Sequence, residues 1–436
     1  MRTCRLIRAY PAKPTIASGT SLTLHVATDA ARFRVEFYRC GATFEPMHHA
    51  ATGWFDGQDA KPGKPGRRWQ WPSFTFSVPP CWSSGAYVAL CIEGTADGAD
   101  QSRPHCHCPD GRDARALFVV RNLLSTARIL YNIPLFTYHA YNVAHVDGTK
   151  RIDEGECLYS GANAVSLQRP GGGTGGHPWD EVNVDVYDRA TPRQTFAHWD
   201  AKAIAWLERS GFAIDYCTDL DLHASHDVLR QYGLLVTFGH NEYWSSEMRA
   251  RVECFVQAGG NVAFFGGNTC WFRVLVDEAD SAISRAGRWD ERCEHYLTGV
   301  SFRNGGGKWI ADRPPTGYCV TNPQHWIYTG CAVQRGGIFG AHQRLIGYEC
   351  DGVCDDSNLQ ILGSASLKEW NVRDGSGEVS ANARATMVIF ARNGTVFNAG
   401  TTDWARVLHE GDPIVQRITS NVITRLSSAH GSTDSP

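Results

Sequence analysis

Leu234-Leu-Val-Thr-Phe-Gly-His-Asn-Glu-Tyr-Trp244 decides the reading of this chain. Five apolar or β-branched residues predict a buried strand. A glycine ends it, and His240, Asn241 and Glu242 follow at once. The pattern returns in Asn261-Val-Ala-Phe-Phe265, followed by Gly266, Gly267 and Asn268. Two strands thus end in glycine-bearing loops that carry polar side chains. In an open α/β sheet, ligands bind at the carboxyl ends of the strands. One right-handed crossover joins the two strands, so they are expected side by side, with Glu242 and Asn268 facing one crevice.

The flanking segments extend the alternation. Arg128 to Phe136 reads as a first buried strand, which brings Tyr138, His139, Tyr141 and Asn142 towards the same edge. Ala197 to Ser210 has helical spacing, with Trp199, Ala203, Trp206 and Leu207 on one face and Gly211 as its stop. Phe212 to Tyr216 predicts a strand and Asp227 to Tyr232 a short helix. Ser245 or Ser246 caps a helix with Met248, Val252, Phe255 and Val256 inward. Strands and helices in this order predict a doubly wound parallel sheet. Further on, Thr386–Phe390 and Gly394–Ala399 read as a hairpin, and Asp412-Pro413 opens a final helix. Residues 1–125 differ: short runs of period-two alternation, such as Ser21–Val26, Arg32–Tyr38 and Tyr87–Ile92, predict a β-sandwich. The expected division is a sandwich over 1–125 and an α/β unit over 126–436.

The chain has 436 residues, 42% hydrophobic and 20% charged, with a formal net charge of −3. That composition fits a globular protein and gives no case for nucleic-acid or membrane-surface binding. The first residues lack an apolar run of signal-peptide length, so a cytoplasmic location is expected. Fifteen cysteines are then expected as free thiols, with Cys217, Cys254 and Cys319 in the core.

A histidine and a carboxylate side by side after a buried strand suit metal ligation or acid–base work; the plainer alternative is a cap on the following helix. Two other clusters compete. Cys106-His107-Cys108 with His105 could bind zinc, although paired Cys-x-x-Cys spacing is missing. Cys270 could act as the nucleophile of a thiol amidotransferase. A non-catalytic carbohydrate- or partner-binding protein is a further alternative. Arg169-Pro-Gly-Gly-Gly-Thr-Gly-Gly176 is no Walker motif and reads as a loop over the pocket.

Ala140-Tyr-Asn142, Leu158-Tyr159, the glycine run, Trp206–Phe212, Tyr216–His223, Gly239–Trp244, Phe265–Trp271, Gly347–Gly352 and Val396–Trp404 occur in order. In these pieces the chain resembles the large (beta) subunit of N,N-dimethylformamidase and its relatives. The resemblance implies a class I amidotransferase-like α/β domain without the cysteine nucleophile, preceded by an immunoglobulin-like sandwich. It implies one Fe(III) ion held by two tyrosines and one glutamate. Glu242 corresponds to the glutamate; Tyr159 and Tyr141 are the candidate tyrosines, with Tyr138 and Tyr187 as further possibilities. His240 becomes the acid–base candidate, Asn268 a pocket wall and Glu349 a second pocket carboxylate. Phenolate and carboxylate oxygens are hard donors that suit Fe(III). The implied activity is hydrolysis of a small amide such as an N-substituted formamide, by a homo-oligomer with or without a small accessory subunit. Asn241 stands where the family usually has Asp, and Gly266 where relatives often have Ser.

Overall fold

The computed structural model describes residues 7–47, 52–100, 114–143, 157–174, 185–309, 312–353, 358–370 and 382–428. The strand Leu234–His240 forms as expected, wholly buried, and pairs in parallel with Asn261–Gly267 from end to end. These two are central strands of a nine-stranded sheet. On one side lie Ile129–Ile133 and then Ile214–Thr218, both parallel; on the other lies Gly394–Asn398, also parallel. Numbered along the chain, these five strands stand in the order 2-1-3-4-5, a doubly wound order with its switch point between the first and third strands.

The remaining four strands run differently. Arg384–Arg392 pairs antiparallel with Gly394–Asn398 through a tight turn at Asn393, whose φ is +67°. Gln360–Ser366, Tyr318–Val320 and Ile338–Phe339 continue antiparallel to the edge. The expected parallel sheet is therefore half of a mixed one. The hairpin is what reverses direction: a two-strand turn can only return antiparallel.

Helices cover both faces. Asp200–Arg209, Trp404–Glu410 and Pro413–Ser427 share one core with the sheet, and Ser246–Gln257 lies in another on the opposite face. Ser245 caps the last of these through Met248 N–H, an interaction typically worth ~1 kcal/mol. Asp412 caps the final helix through the N–H groups of Ile414 and Val415. The helix expected over Asp227–Tyr232 is a set of turns; the helix lies earlier, at Asp219–Ala224. Thr218 and Asp221 close a reciprocal capping box there, which starts the helix directly at the strand end.

Towards the N-terminus, one sheet of Arg8–Pro11, Ser21–Ala27 and Ser73–Ser77 faces a second built on Thr15–Ala17, Arg115–Arg121, Gly85–Gly94 and Arg32–Cys40. Leu24, Phe37, Tyr87 and Phe118 fill the space between them. Alternate residues Ala86, Val88, Leu117 and Val119 point the other way and pack into the α/β core. The second sheet is thus buried on both faces, and Arg39 on it forms a two-pronged ion pair with Glu208 of the Asp200–Arg209 helix.

Among the described residues no helix is long and apolar enough to cross a membrane. Ten cysteines among the described residues are free thiols; Cys217 is buried as expected, but Cys254 is exposed and Cys319 only partly covered. Cys254 falls on the outer side of its helix, four residues from exposed Ala250. The Cys106–Cys108 cluster and His105 lie outside the described residues.

Candidate functional site

The site forms at the switch point, where strand directions diverge and a crevice opens. Gly239 makes the sharp exit from the strand: its φ is +69°, and a Cβ there would stand 2.6 Å from the Trp199 side chain. The exit places His240 and Glu242 under the helix Leu135–Tyr141, which follows the first strand. Thr137 Oγ accepts hydrogen bonds from Glu242 N–H at 2.9 Å and Tyr243 N–H at 3.2 Å and so pins the loop.

Asn268 arrives from the neighbouring strand. Its φ of +50° is left-handed, a conformation that asparagine tolerates better than most residues. Asp351 holds it by accepting from Asn268 N–H at 2.9 Å and Thr269 N–H at 3.3 Å. Glu349 comes from a two-stranded ribbon, Val300–Gly307 with Glu349–Val353. Gly267 permits the approach, because a Cβ there would meet Glu349 O at 2.5 Å.

The four side chains touch. His240 Nε2 lies 2.8 Å from Glu349 Oε2 and 3.6 Å from Glu242 Oε2. Asn268 Nδ2 donates to Glu242 Oε1 at 3.1 Å and reaches Glu349 Oε2 at 3.3 Å. Tyr141 OH donates to Glu242 Oε2 at 2.7 Å, and Trp309 Nε1 donates to Glu349 Oε1 at 2.8 Å. All of His240, Glu242, Asn268 and Glu349 are buried.

Two carboxylates now share one imidazole out of water. Burial raises the Glu242 pKa to about 7; His240 opposes this and the Glu349 charge adds to it. Burial acts the same way on Glu349, but His240, Trp309 and Asn268 outweigh it and hold that carboxyl below its ordinary range. Burial alone would lower His240, yet Glu349 and Glu242 raise it. The pair separates into one carboxylate that stays ionised and one that gains a proton easily, a separation characteristic of acid–base sites.

The expected tyrosines divide clearly. Tyr141 meets Glu242, and the Tyr159 ring lies 5.1 Å from the Tyr141 ring, 64% exposed at the mouth. Tyr138 does not join them: the helix turns its hydroxyl onto the Asp200 carboxylate. Tyr187 is also elsewhere, with the guanidinium groups of Arg313, Arg344 and Arg406 over its ring at 4.6, 5.4 and 5.2 Å. His139 and Asn142 leave the crevice as well; His139 abuts Gly172 and Asn142 Nδ2 donates to Pro170 O at 2.8 Å. The glycine run, over its described part, packs beside this helix.

Among the described residues no group of three or more His, Cys, Asp or Glu side chains is arranged to hold a metal ion. A site built on phenols has a different donor set. Tyr141 OH and a Glu242 oxygen stand side by side, Tyr159 adjoins them, and Asn268 Oδ1 is buried without a hydrogen-bond partner. These hard oxygens fit a ferric ion. Cys270 is placed otherwise: its side chain packs with Met248, Val252 and Phe264, and Arg249 Nη1 lies 3.8 Å from the sulfur. The histidine that a thiol would need is engaged by Glu349.

Gln194, Tyr348, Trp309 and Asp351 complete the surroundings, and none was singled out from the sequence. Gln194 Oε1 lies 2.9 Å from His240 Nδ1, and its Nε2 donates to Tyr348 OH at 2.7 Å. Tyr348 and Asp351 flank Glu349 in one short motif, which is the signal that could have found them. Gln194 and Trp309 sit in loops without pattern.

No curated protein is similar enough in sequence to match. Loose structural likenesses include the mmIFT52 N-terminal domain, at 12% identity over 53% of this chain and 91% of that one, with a TM-score of 0.31. The exo-beta-1,4-mannosidase Op5Man5 from Opitutaceae bacterium strain TAV5 matches at 10% identity over 70% of this chain and 37% of that one, with a TM-score of 0.32. Scores this low assign neither fold nor activity. The family comparison is of another order: the model for N,N-dimethylformamidase beta subunit-like proteins, C-terminal region, matches residues 33–417 and takes in most of the sandwich as well as the site, so the chain belongs to that family.

Proposed function

We propose that this protein hydrolyses the C–N bond of a small amide, with an N-substituted formamide as the preferred substrate and iron as cofactor. The observation that carries the reading is the meeting of His240, Glu242, Asn268 and Glu349 with Tyr141 at the sheet's switch point. Family membership supports the reaction class. The strand order supports an amidotransferase-like α/β unit over 126–436, with 1–125 as an immunoglobulin-like sandwich.

Tyr141, Tyr159 and Glu242 would hold Fe(III). Bound there, the ion would supply Lewis acidity towards an amide carbonyl and towards water. The chain's own groups then divide the proton work. The His240–Glu349 pair, joined through Nε2 at 2.8 Å, takes a proton from the attacking water as oxygen bonds to the carbonyl carbon. The same pair returns that proton to the amide nitrogen as the C–N bond breaks, leaving a carboxylic acid and an amine. Asn268 Nδ2 is the neutral donor able to follow the carbonyl oxygen as charge grows on it.

The test is amine release. Purified protein loaded with iron and given N-methylformamide or N,N-dimethylformamide is expected to release the amine and to show a phenolate-to-iron absorption band. A protein that takes up no iron and releases no amine across a panel of formamides contradicts the proposal.

A further inference from the structure

We infer that Trp309 is the wall of the crevice that receives the nitrogen substituents of the amide, and that it selects N,N-dialkyl amides over amides with a free N–H. The inference rests on the reading of the site as an amidase. The contacts of the site run in one line. The Tyr159 ring lies 5.1 Å from the Tyr141 ring, and Tyr141 bonds to Glu242. Asn268 joins Glu242 to Glu349, and Glu349 accepts from Trp309 Nε1 at 2.8 Å. Glu242, Asn268 and Glu349 are buried, but the two ends of the line are open: Tyr159 is 64% exposed and Trp309 42%. The crevice thus has an aromatic rim at each end.

The proton work distinguishes the two rims. The leaving nitrogen must lie against the His240–Glu349 pair that protonates it. Trp309 adjoins Glu349, so the substituents of that nitrogen fall on the Trp309 rim. An indole has one polar group, its N–H, and here Glu349 engages it. What the ring offers a ligand is hydrocarbon. A methyl group on the amide nitrogen gains by covering that surface. An amide N–H turned to the same surface loses its water and finds no acceptor there, which costs free energy.

The ring is held from several sides. Gly307 stands opposite Glu349 in the two-stranded ribbon, and Lys308 N–H donates to Tyr348 O at 2.8 Å. The chain then lays the indole back over Gly307, where a Cβ would meet the ring at 2.6 Å. Arg193 donates to Trp309 O and is itself paired with buried Asp185 at 3.4 Å. A ring fixed in this way has little freedom left to lose when a ligand covers it.

The experiment compares iron-loaded wild type with three variants on N,N-dimethylformamide and on formamide, by release of dimethylamine and of ammonia. Trp309→Ala removes the surface. The ratio of kcat/KM for the dimethyl amide to that for formamide should fall by about 10-fold or more, mainly through KM for the dimethyl amide. Gly307→Ala keeps the indole but displaces it, and should lower the ratio in the same direction. Trp309→Phe keeps an apolar ring and loses the N–H on Glu349; kcat should fall for both amides while the ratio is retained. Binding is read separately on protein labelled with fluorotryptophan, the Trp309 fluorine line being assigned by its loss in Trp309→Phe. That line should shift on titration with N,N-dimethylformamide and stay in place with formamide at equal concentration. A ratio unchanged in Trp309→Ala, or a Trp309 line that both amides shift alike, overturns the inference. A line that answers only to the dimethyl amide, in a protein that hydrolyses neither, would instead defeat the proposed function and leave this assignment standing.

Discussion

At Asp403 one buried carboxylate faces two guanidinium groups, those of Arg313 and Arg406. At Glu242 and Glu349 two buried carboxylates share one imidazole. Burial would raise Asp403, but the two arginines outweigh it and hold the group below the ordinary carboxylate range. Burial raises Glu242 to about 7, because the His240 imidazole, partly offset by the Glu349 charge, does not outweigh the loss of water. Asp403 and its arginines hold the fold together; they join the start of the Trp404–Glu410 helix to the loop around Arg313. Glu242, raised by burial, works against folding near neutral pH, and it stands at the carboxyl ends of the strands, where ligands bind in such sheets. Charge balance, more than burial, separates the structural cluster from the candidate site. Cavity size does not: a cavity of about 730 Å³ lies by Arg128, Gly233 and Asn261, at the amino ends of the same strands.

The largest expected effect falls on the unbalanced cluster. Glu242→Ala should lose iron and turnover together, as read by metal analysis and amine release. His240→Ala should keep the iron while kcat falls by about 10²- to 10⁴-fold. A Glu242→Ala protein with full iron content would show that the ligand assignment is wrong.

Asp403→Asn should strike the balanced cluster instead, leaving the buried Arg313 guanidinium without its carboxylate and Arg406 with Glu410 alone. Urea unfolding should show a loss of about 3–5 kcal/mol. The sign of its pH dependence follows from the depressed pKa. Stability from Asp403 is complete above the unfolded value, about 4, and is lost as pH falls through the folded value. The gap between wild type and variant should therefore narrow below about pH 4. A gap that widens there would refute the balanced-cluster description.

A smaller loss is expected at the donor that links the two carboxylates. Asn268→Ala should cost kcat about 10²-fold, or ~3 kcal/mol. An unchanged kcat would remove Asn268 from the chemistry. Smallest of all, Tyr187→Phe should leave iron content and absorption band unaltered, with a stability loss of about 1 kcal/mol from the missing hydrogen bond to Arg313 N–H. Tyr159→Phe, by contrast, should change the band.

The sequence revealed what local pattern controls. Leu234–His240 and Asn261–Gly267 are continuous apolar runs joined by one amphipathic helix, so their pairing and the meeting of Glu242 with Asn268 could be read directly. The antiparallel half of the sheet was not legible, because Gln360–Ser366 and Tyr318–Val320 alternate weakly and join through long loops. The same holds for the small sheet of Tyr243–Ser245, Phe272–Asp277, Ala282–Arg288 and Val165–Ser166, which has no clear period. Tyr138 was a plausible ligand until the helix after the first strand was seen to turn it away. Gln194 and Trp309 reach the site across 46 and 40 residues, from segments whose place only tertiary packing determines.

We propose that Tyr141, Tyr159 and Glu242 hold iron beside His240. Anomalous scattering at the iron edge from crystals of the iron-loaded protein tests it most directly. A single strong peak within bonding distance of the Tyr141, Tyr159 and Glu242 oxygens is the predicted result. A peak at other residues, or none between these three in a protein that contains iron, would contradict it.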